Sequence, residues 1–153
     1  MQQIVILGGG AAGMAAALAA AQAAPAGAVR VTVLDRNPRC GKKLLATGNG
    51  RCNLTNQNMG LPYYHGQAPD FARPALEALD LDATLDFFHS LGLLTTAEDN
   101  GRVYPYSDQA GSVLDVLRFA ADAAGVMTRT GFEVTGLKRG KKGFLVSSAE
   151  ETL

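Results

Sequence analysis

The chain has 153 residues, 47% hydrophobic and 18% charged, which is enough for a folded domain with a sizeable core and argues against disorder. Lys+Arg and Asp+Glu stand at 14 each, so global charge gives no reason to expect nucleic acid or an anionic membrane as partner. Two cysteines, Cys40 and Cys52, are too few for a disulfide framework and are not spaced as metal ligands; they read as thiols of a reducing compartment.

Taken in chain order, Ile4 to Leu7 is a short apolar run closed by glycines and predicts a buried parallel strand. Residues 11–24 are strong helix formers, and Pro25 and Gly27 should end that helix. Val29 to Leu34 predicts a second strand, so the first thirty-odd residues form a βαβ unit. The following stretch, GKKLLATGNGRCNLTN from Gly41 to Asn56, is too polar and glycine-rich for a core element. Leu61 to Gln67 reads as irregular. Residues 70–79 and 82–91 carry helical patterns, with Asp82 as N-cap and Leu85, Phe88 and Leu91 on one face. A turn is expected at Asn100-Gly101. Ser112 is placed to cap a helix through Ala124, with Val113, Val116, Leu117, Ala120 and Ala124 inward and Gly125 as its stop. Residues 126–130, 133–138 and 144–148 predict strands, the last two joined by the basic turn RGKKG. The first residues lack a signal-peptide pattern, and no apolar run reaches membrane-spanning length, so a soluble cytoplasmic protein is expected.

Chemistry concentrates early. Gly8, Gly10 and Gly13 form G-x-G-x-x-G, directly after an apolar strand and directly before a helix. In that setting Gly8 permits the tight turn, Gly10 lets a pyrophosphate reach the backbone, and Gly13 lets the helix pack on the strand. The helix N-terminus then offers free N–H groups and a positive dipole end to phosphate. Asp35 closes the second strand, where a carboxylate can accept from an adenosine ribose. Arg36 beside it could equally grip a 2′-phosphate, which leaves NAD-type and NADP-type ligands open. In the loop, Gly48-Asn49-Gly50 can expose backbone N–H groups as an anion nest. Lys42, Lys43 and Arg51 can neutralise phosphate, and Asn49 and Asn53 supply donors and acceptors for the edge of a flavin ring.

No Ser/His/Asp set, carboxylate pair or metal cluster stands out. Cys52 reads as a packed structural thiol. His89 reads as a surface or packing residue, and His65 lacks an orienting partner. Tyr104 and Tyr106 are expected to pack.

The stretches GGGAAG, GKKLLATGNGRCNLTN and GRVYPYSDQAGSV together resemble the bacterial NAD(P)/FAD-dependent oxidoreductase flavoproteins, variously called aminoacetone oxidases or uncharacterised flavoproteins. GNGRCN is the specific part; the glycine motif is shared by many folds. The resemblance runs from Gln3 to about Ser148. It implies a glutathione-reductase-like, Rossmann-type FAD-binding α/β domain, with a parallel sheet and a β-hairpin or meander. It also implies that residues 1–153 are the N-terminal part of a longer protein, whose substrate domain and C-terminal FAD segment lie elsewhere. Carried over, Gly8, Gly10, Ala11, Ala12 and Gly13 would meet the FAD pyrophosphate, and Asp35, with Arg36 beside it, the adenosine ribose. Lys42, Lys43, Asn49, Gly50, Arg51 and Asn53 would line the pyrophosphate and flavin side, and Val134 would contact adenine through its backbone.

The expected function is therefore the FAD-binding portion of an oxidoreductase that moves hydride from NAD(P)H through FAD to a small-molecule acceptor. The chemistry would be the cofactor's, and no residue is singled out as acid or base. The alternative is a nucleotide-binding module, or truncated product, without turnover. An NAD(P)-binding domain without flavin is the third reading; the GNGRCN loop argues against it. The partner is a small-molecule dinucleotide, with no nucleic acid and no membrane expected.

Overall fold

Two apolar β-branched runs flanking a glycine turn and an alanine-rich helix leave the backbone few options: parallel strands with a helix between them. The computed structural model of the chain describes residues 1–153, which divide into two compact units, Met1–Leu44 with Leu117–Leu153, and Leu45–Val116.

The first unit holds β1 (Gln2–Leu7), α1 (Ala11–Gln22) and β2 (Val29–Asp35). It also holds β6 (Met127–Thr130), β7 (Gly136–Arg139) and β8 (Phe144–Ser147). β1, β2 and β6 form a parallel sheet in the order β1-β2-β6, with Ile4 opposite Val31 and Leu34 opposite Arg129. This is the expected Rossmann-like α/β arrangement. β2 is central, and its Val31, Val33, Leu34 and Asp35 are all buried. Successive side chains of a strand point to opposite faces. Leu34 therefore leaves Val33's face and joins Phe132 and Val146, with Val5 and Val134 packed against them. α1 buries Met14, Ala17 and Leu18. The strand β1 is less buried than its sequence suggests. It lies at the sheet's edge, and Ile4, Val5 and Ile6 are only half-buried while Leu7 is exposed.

The end of this unit is an antiparallel hairpin, Leu137 opposite Val146, turned by Gly140 to Gly143 as the basic RGKKG stretch predicts. The expected strand over 133–138 starts late. The paired strand begins at Gly136, where Thr135 N–H already crosses to the Ser147 carbonyl at 2.8 Å, whereas Phe132 N–H donates to the Asp35 carbonyl at 3.0 Å.

In the second unit the loop after Leu44 is not wholly irregular. A kinked 3-10 segment runs over Leu44–Gly50 and passes into β3 (Thr55–Asn56). Two 3-10 turns, Leu61–Tyr63 and Pro69–Ala72, lead to α2 (Arg73–Ala78) and α3 (Leu81–Ser90). β4 (Thr95–Ala97) and β5 (Arg102–Pro105) form a hairpin around Glu98 to Gly101, with Gly101 at φ 81, as the Asn-Gly turn signal requires. The sheet order is β3-β5-β4.

α4 (Ala110–Ala123) begins before its expected cap. Ser112 sits inside the helix, its hydroxyl bonded to that of Ser107. Ala110, Val113, Leu114, Leu117 and Ala121 are its buried residues, whereas Ala124 is exposed and already outside. The helix stops as expected at Gly125, φ 71. No helix is long and apolar enough to cross a membrane.

The cap of α3 also shifts. Asp80, not Asp82, is the N-cap, its carboxylate accepting Ala83 N–H at 2.9 Å. The pattern offered two aspartates two residues apart, and only the one with extended backbone can turn back onto the helix. Replacing a capping Asp by Ala costs about 0.5–2 kcal/mol. Asp80→Ala should therefore lower the denaturant midpoint of the second unit visibly, and Asp82→Ala should lower it less. The opposite order in paired urea titrations would assign the cap to Asp82.

Candidate functional site

The turn between β1 and α1 is built from three glycines with three different constraints. Gly8 is left-handed at φ 98, and its N–H donates to the Leu34 carbonyl at 2.7 Å, fixing the turn to β2. Gly13 faces the backbone of that turn so closely that a Cβ would lie 1.9 Å from the Gly8 carbonyl oxygen. Gly10 is the N-cap of α1, and a Cβ there would meet nothing within 4 Å. The space in front of Gly10 is open.

No side chain caps α1, and no acid lies in its first turn. The N–H groups of Ala11, Ala12 and Gly13 therefore belong to a first turn without intrahelical acceptors, at the positive end of the helix dipole.

Asp35 lies under the turn. One carboxylate oxygen accepts Gly9 N–H at 2.7 Å. The other accepts Asn37 N–H at 2.7 Å and the Asn37 side-chain amide at 2.8 Å. Burial pushes the carboxyl up, but the hydrogen bonds from Asn37 and Gly9, with Arg36 nearby, outweigh it and hold the group below its usual 3.8. A carboxylate offers about four acceptor positions. Three are taken, so one remains for an outside donor such as a ribose hydroxyl.

Sequence reasoning passed over two members of this assembly. Gly9 is buried, and a Cβ on it would lie 2.1 Å from the Cys40 sulfur and 3.2 Å from the Asp35 carboxylate. Cys40 is thus the floor of the turn rather than a reactive group. Burial, then the charge of Asp35, raise its thiol above the ordinary value, against the pull of Arg118. The available signals were the third glycine in GGG and the Asp-x-Asn spacing, which favours a side-chain turn.

Gly41 N–H donates to the Gly9 carbonyl at 2.8 Å, which brings the start of the basic loop to the glycine turn. Lys42 and Lys43 follow, both exposed, as is Arg36. Val134 is half-buried against the Leu34 cluster, two residues beyond the Phe132 bond to Asp35.

Within the second unit, Asn49, Gly50 and Asn53 are exposed. Gly48, Asn49, Gly50 and Cys52 all have left-handed backbone, φ 54, 55, 84 and 61. Arg51 differs from the other cations. Its guanidinium pairs with Glu98 at 2.8 Å and with Asp108, and lies 3.9 Å above the Tyr104 ring. Those hydrogen bonds, Asp108 first, push its pKa further up. Tyr104 is buried, as expected, but Tyr106 is exposed and does not pack. Cys52 is a buried free thiol, as expected; His65 is exposed, and so is His89, which lies 3.0 Å from the Thr95 hydroxyl.

A glycine turn opening a helix at the carboxyl end of a parallel strand, with an acid ending the next strand, defines a Rossmann domain. The chain belongs to the HI0933-like protein Rossmann domain family, whose description matches residues 2–153. It is 47% identical over 146 residues to the 3-dehydro-bile acid delta(4,6)-reductase of Clostridium scindens, covering 95% of this chain and 35% of that protein. It is 30% identical over 140 residues to the ribosomal RNA dihydrouridine synthase of Escherichia coli, covering 92% of this chain and 34% of the relative. The chain thus spans about a third of the length of these curated relatives. Its fold matches the 3-ketosteroid-delta4-(5alpha)-dehydrogenase of Rhodococcus jostii with a TM-score of 0.64 at 14% identity, over 99% of this chain and 43% of that one.

Two predictions follow from the underside of the turn. Gly9→Ala should lower the melting temperature by several degrees, because the nearest atom is buried sulfur. Cys40→Ala should restore part of the loss and not all, since the Cys40 Cβ itself stands 2.8 Å from the added methyl. Full tolerance of Gly9→Ala in a thermal melt would refute the packing. For Asp35 the sign is set by its lowered pKa: its contribution is complete above 3.8 and is lost as pH falls through the lower folded value. Asp35→Asn should therefore destabilise at pH 7, and the gap to wild type should narrow on acidification below 3.8. Parallel melts across that range check it; a constant gap would contradict it.

Proposed function

We propose that this chain is the FAD-binding portion of a flavin-dependent oxidoreductase. In the whole protein, hydride would pass from NAD(P)H through FAD to a small-molecule acceptor. The observation that carries the reading is the open, uncapped helix end at Gly10, with no Cβ contact within 4 Å and no acid in its first turn. That surface suits a diphosphate, which can take the exposed N–H groups while the glycine lets it approach. The membership of a Rossmann domain family supports the dinucleotide class.

The residues present fit such a cofactor. Gly8, Gly10, Ala11, Ala12 and Gly13 would hold the pyrophosphate by backbone. Asp35 would use its remaining acceptor position on the adenosine ribose, with Arg36 beside it, and Val134 would meet adenine by its backbone. Lys42 and Lys43 are exposed and would supply the counter-charge to phosphate. Asn49, Gly50, Arg51 and Asn53 are proposed as further contributors on the family resemblance. When bound, FAD would supply the two-electron chemistry; the chain would bind and orient it.

For the acceptor, the relatives' names point two ways, to a bile acid and to ribosomal RNA. The higher identity, 47% against 30%, and the balanced charge favour a small apolar molecule. Two buried free thiols agree with a reducing, cytoplasmic setting. A binding module without turnover is the alternative for this polypeptide by itself.

Titration with FAD, followed by flavin fluorescence, tests the reading. Wild type should bind. Gly10→Val should stay folded with at most a small drop in melting temperature from the poorer N-cap, since an added Cβ meets nothing within 4 Å, yet weaken FAD binding by at least about tenfold, roughly 1.4 kcal/mol. Equal FAD affinity of wild type and Gly10→Val would remove the glycine turn as the pyrophosphate site. Stoichiometric NADPH oxidation by the loaded chain would separate the enzyme from the binding module.

A further inference from the structure

The cation in the middle of GNGRCN is already paired within its own unit. Arg51 spends its Nε on Asp108 and one Nη on Glu98, and its flat face on the ring of Tyr104. Two carboxylates against one guanidinium leave a local charge that is not positive. A phosphate approaching this group would meet the charges of Glu98 and Asp108 as well.

What Arg51 does engage is the backbone around it. Its three partners sit on β5 and its flanks: Glu98 precedes the strand, Tyr104 lies within it, and Asp108 follows it. Tyr104 is 5% exposed and so offers a fixed platform. On the other side, Arg51 is embedded in a chain segment of four left-handed residues, two of which, Asn49 and Cys52, are not glycine. Asparagine tolerates that conformation, but Cys52 holds it only because its surroundings impose it. The segment's own bonds are few: Arg51 N–H to the Gly48 carbonyl at 3.1 Å and Cys52 N–H to the Thr47 carbonyl at 3.0 Å. Gly48 presses on the same platform, where a Cβ would stand 3.2 Å from the Tyr104 ring and 2.8 Å from Asn53 nitrogen.

We infer that Arg51 is a positioning residue that clamps the left-handed segment Gly48–Asn53 to the β4–β5 hairpin through Glu98, Tyr104 and Asp108. It acts on a ligand of this segment only through the shape of the backbone, not by direct contact with phosphate. The role of the segment toward FAD rests on the function proposed above; the clamp itself does not. Arginine is required because lysine lacks the planar fork that reaches two carboxylates while stacking on a ring.

The test uses the whole chain, first without ligand. Amide hydrogen exchange is measured on wild type, Arg51→Met, Arg51→Lys and the double variant Glu98→Gln/Asp108→Asn. Arg51→Met and the double variant should each speed exchange of the amides at positions 51 and 52 by about tenfold or more, and leave β1 and β2 at wild-type rates. Arg51→Lys should fall between. Combining Arg51→Met with the double variant should add little, because both remove the same interaction. Unchanged exchange in the segment overturns the clamp, as does faster exchange throughout the chain, which would make Arg51 a general stabiliser.

FAD affinity at several salt concentrations is the second arm. The clamp expects Arg51→Met and the double variant to weaken binding alike, with the salt dependence kept, whereas Lys42→Met should flatten it. Tighter FAD binding by the double variant would mean that a freed Arg51 touches phosphate directly, and would overturn the proposal. Absence of FAD binding in wild type would sink the proposed function instead, and the exchange arm would still decide the clamp.

Discussion

The carboxylate of Asp35 holds the first unit's site together. It ends the central strand, lies buried beneath the glycine turn, and takes the Gly9 N–H that the turn would otherwise leave without a partner. An unsatisfied buried N–H costs about 1–3 kcal/mol, and a buried charge without donors costs more. The two problems cancel at one contact. Asn37 closes the other oxygen, and the Asp35 carbonyl receives Phe132 N–H from the far end of the chain. One residue thereby joins the strand end, the glycine turn and the return segment leading to the hairpin.

This arrangement also explains the middle glycine. The turn can come down on β2 only if Gly9 carries no side chain, because Cys40 occupies the space below it. The cysteine is therefore a packing element, and its raised thiol pKa agrees with an inert group. Above the turn the situation reverses, and Gly10 faces nothing. The same three-glycine stretch is filled from beneath and empty on top, which is the asymmetry a ligand site needs.

The second unit solves a different problem. A run of left-handed residues has poor local support, and in this segment the support comes from side chains rather than from a ladder. A cation in a glycine-rich loop is ambiguous for this reason. Lys42, Lys43 and Arg51 look alike in a sequence, but the two lysines are exposed and Arg51 is held by two acids and a ring.

The sequence by itself determined the parallel α/β core, the glycine turn, the acid at the end of β2, the Asn-Gly hairpin and the Gly125 stop. Each of these depends on neighbours within a few residues: apolar runs, a helix former, a left-handed glycine. Tertiary structure decided the rest. The edge position of β1 left it half-buried, Asp80 took the cap from Asp82, and α4 began ahead of Ser112. Cys40 met Gly9, and Arg51 met Glu98 and Asp108, across separations in the chain that no local pattern encodes. Periodicity and turn chemistry report what a segment can do alone; which partner a buried thiol or a guanidinium finds depends on where the folded chain brings distant residues together.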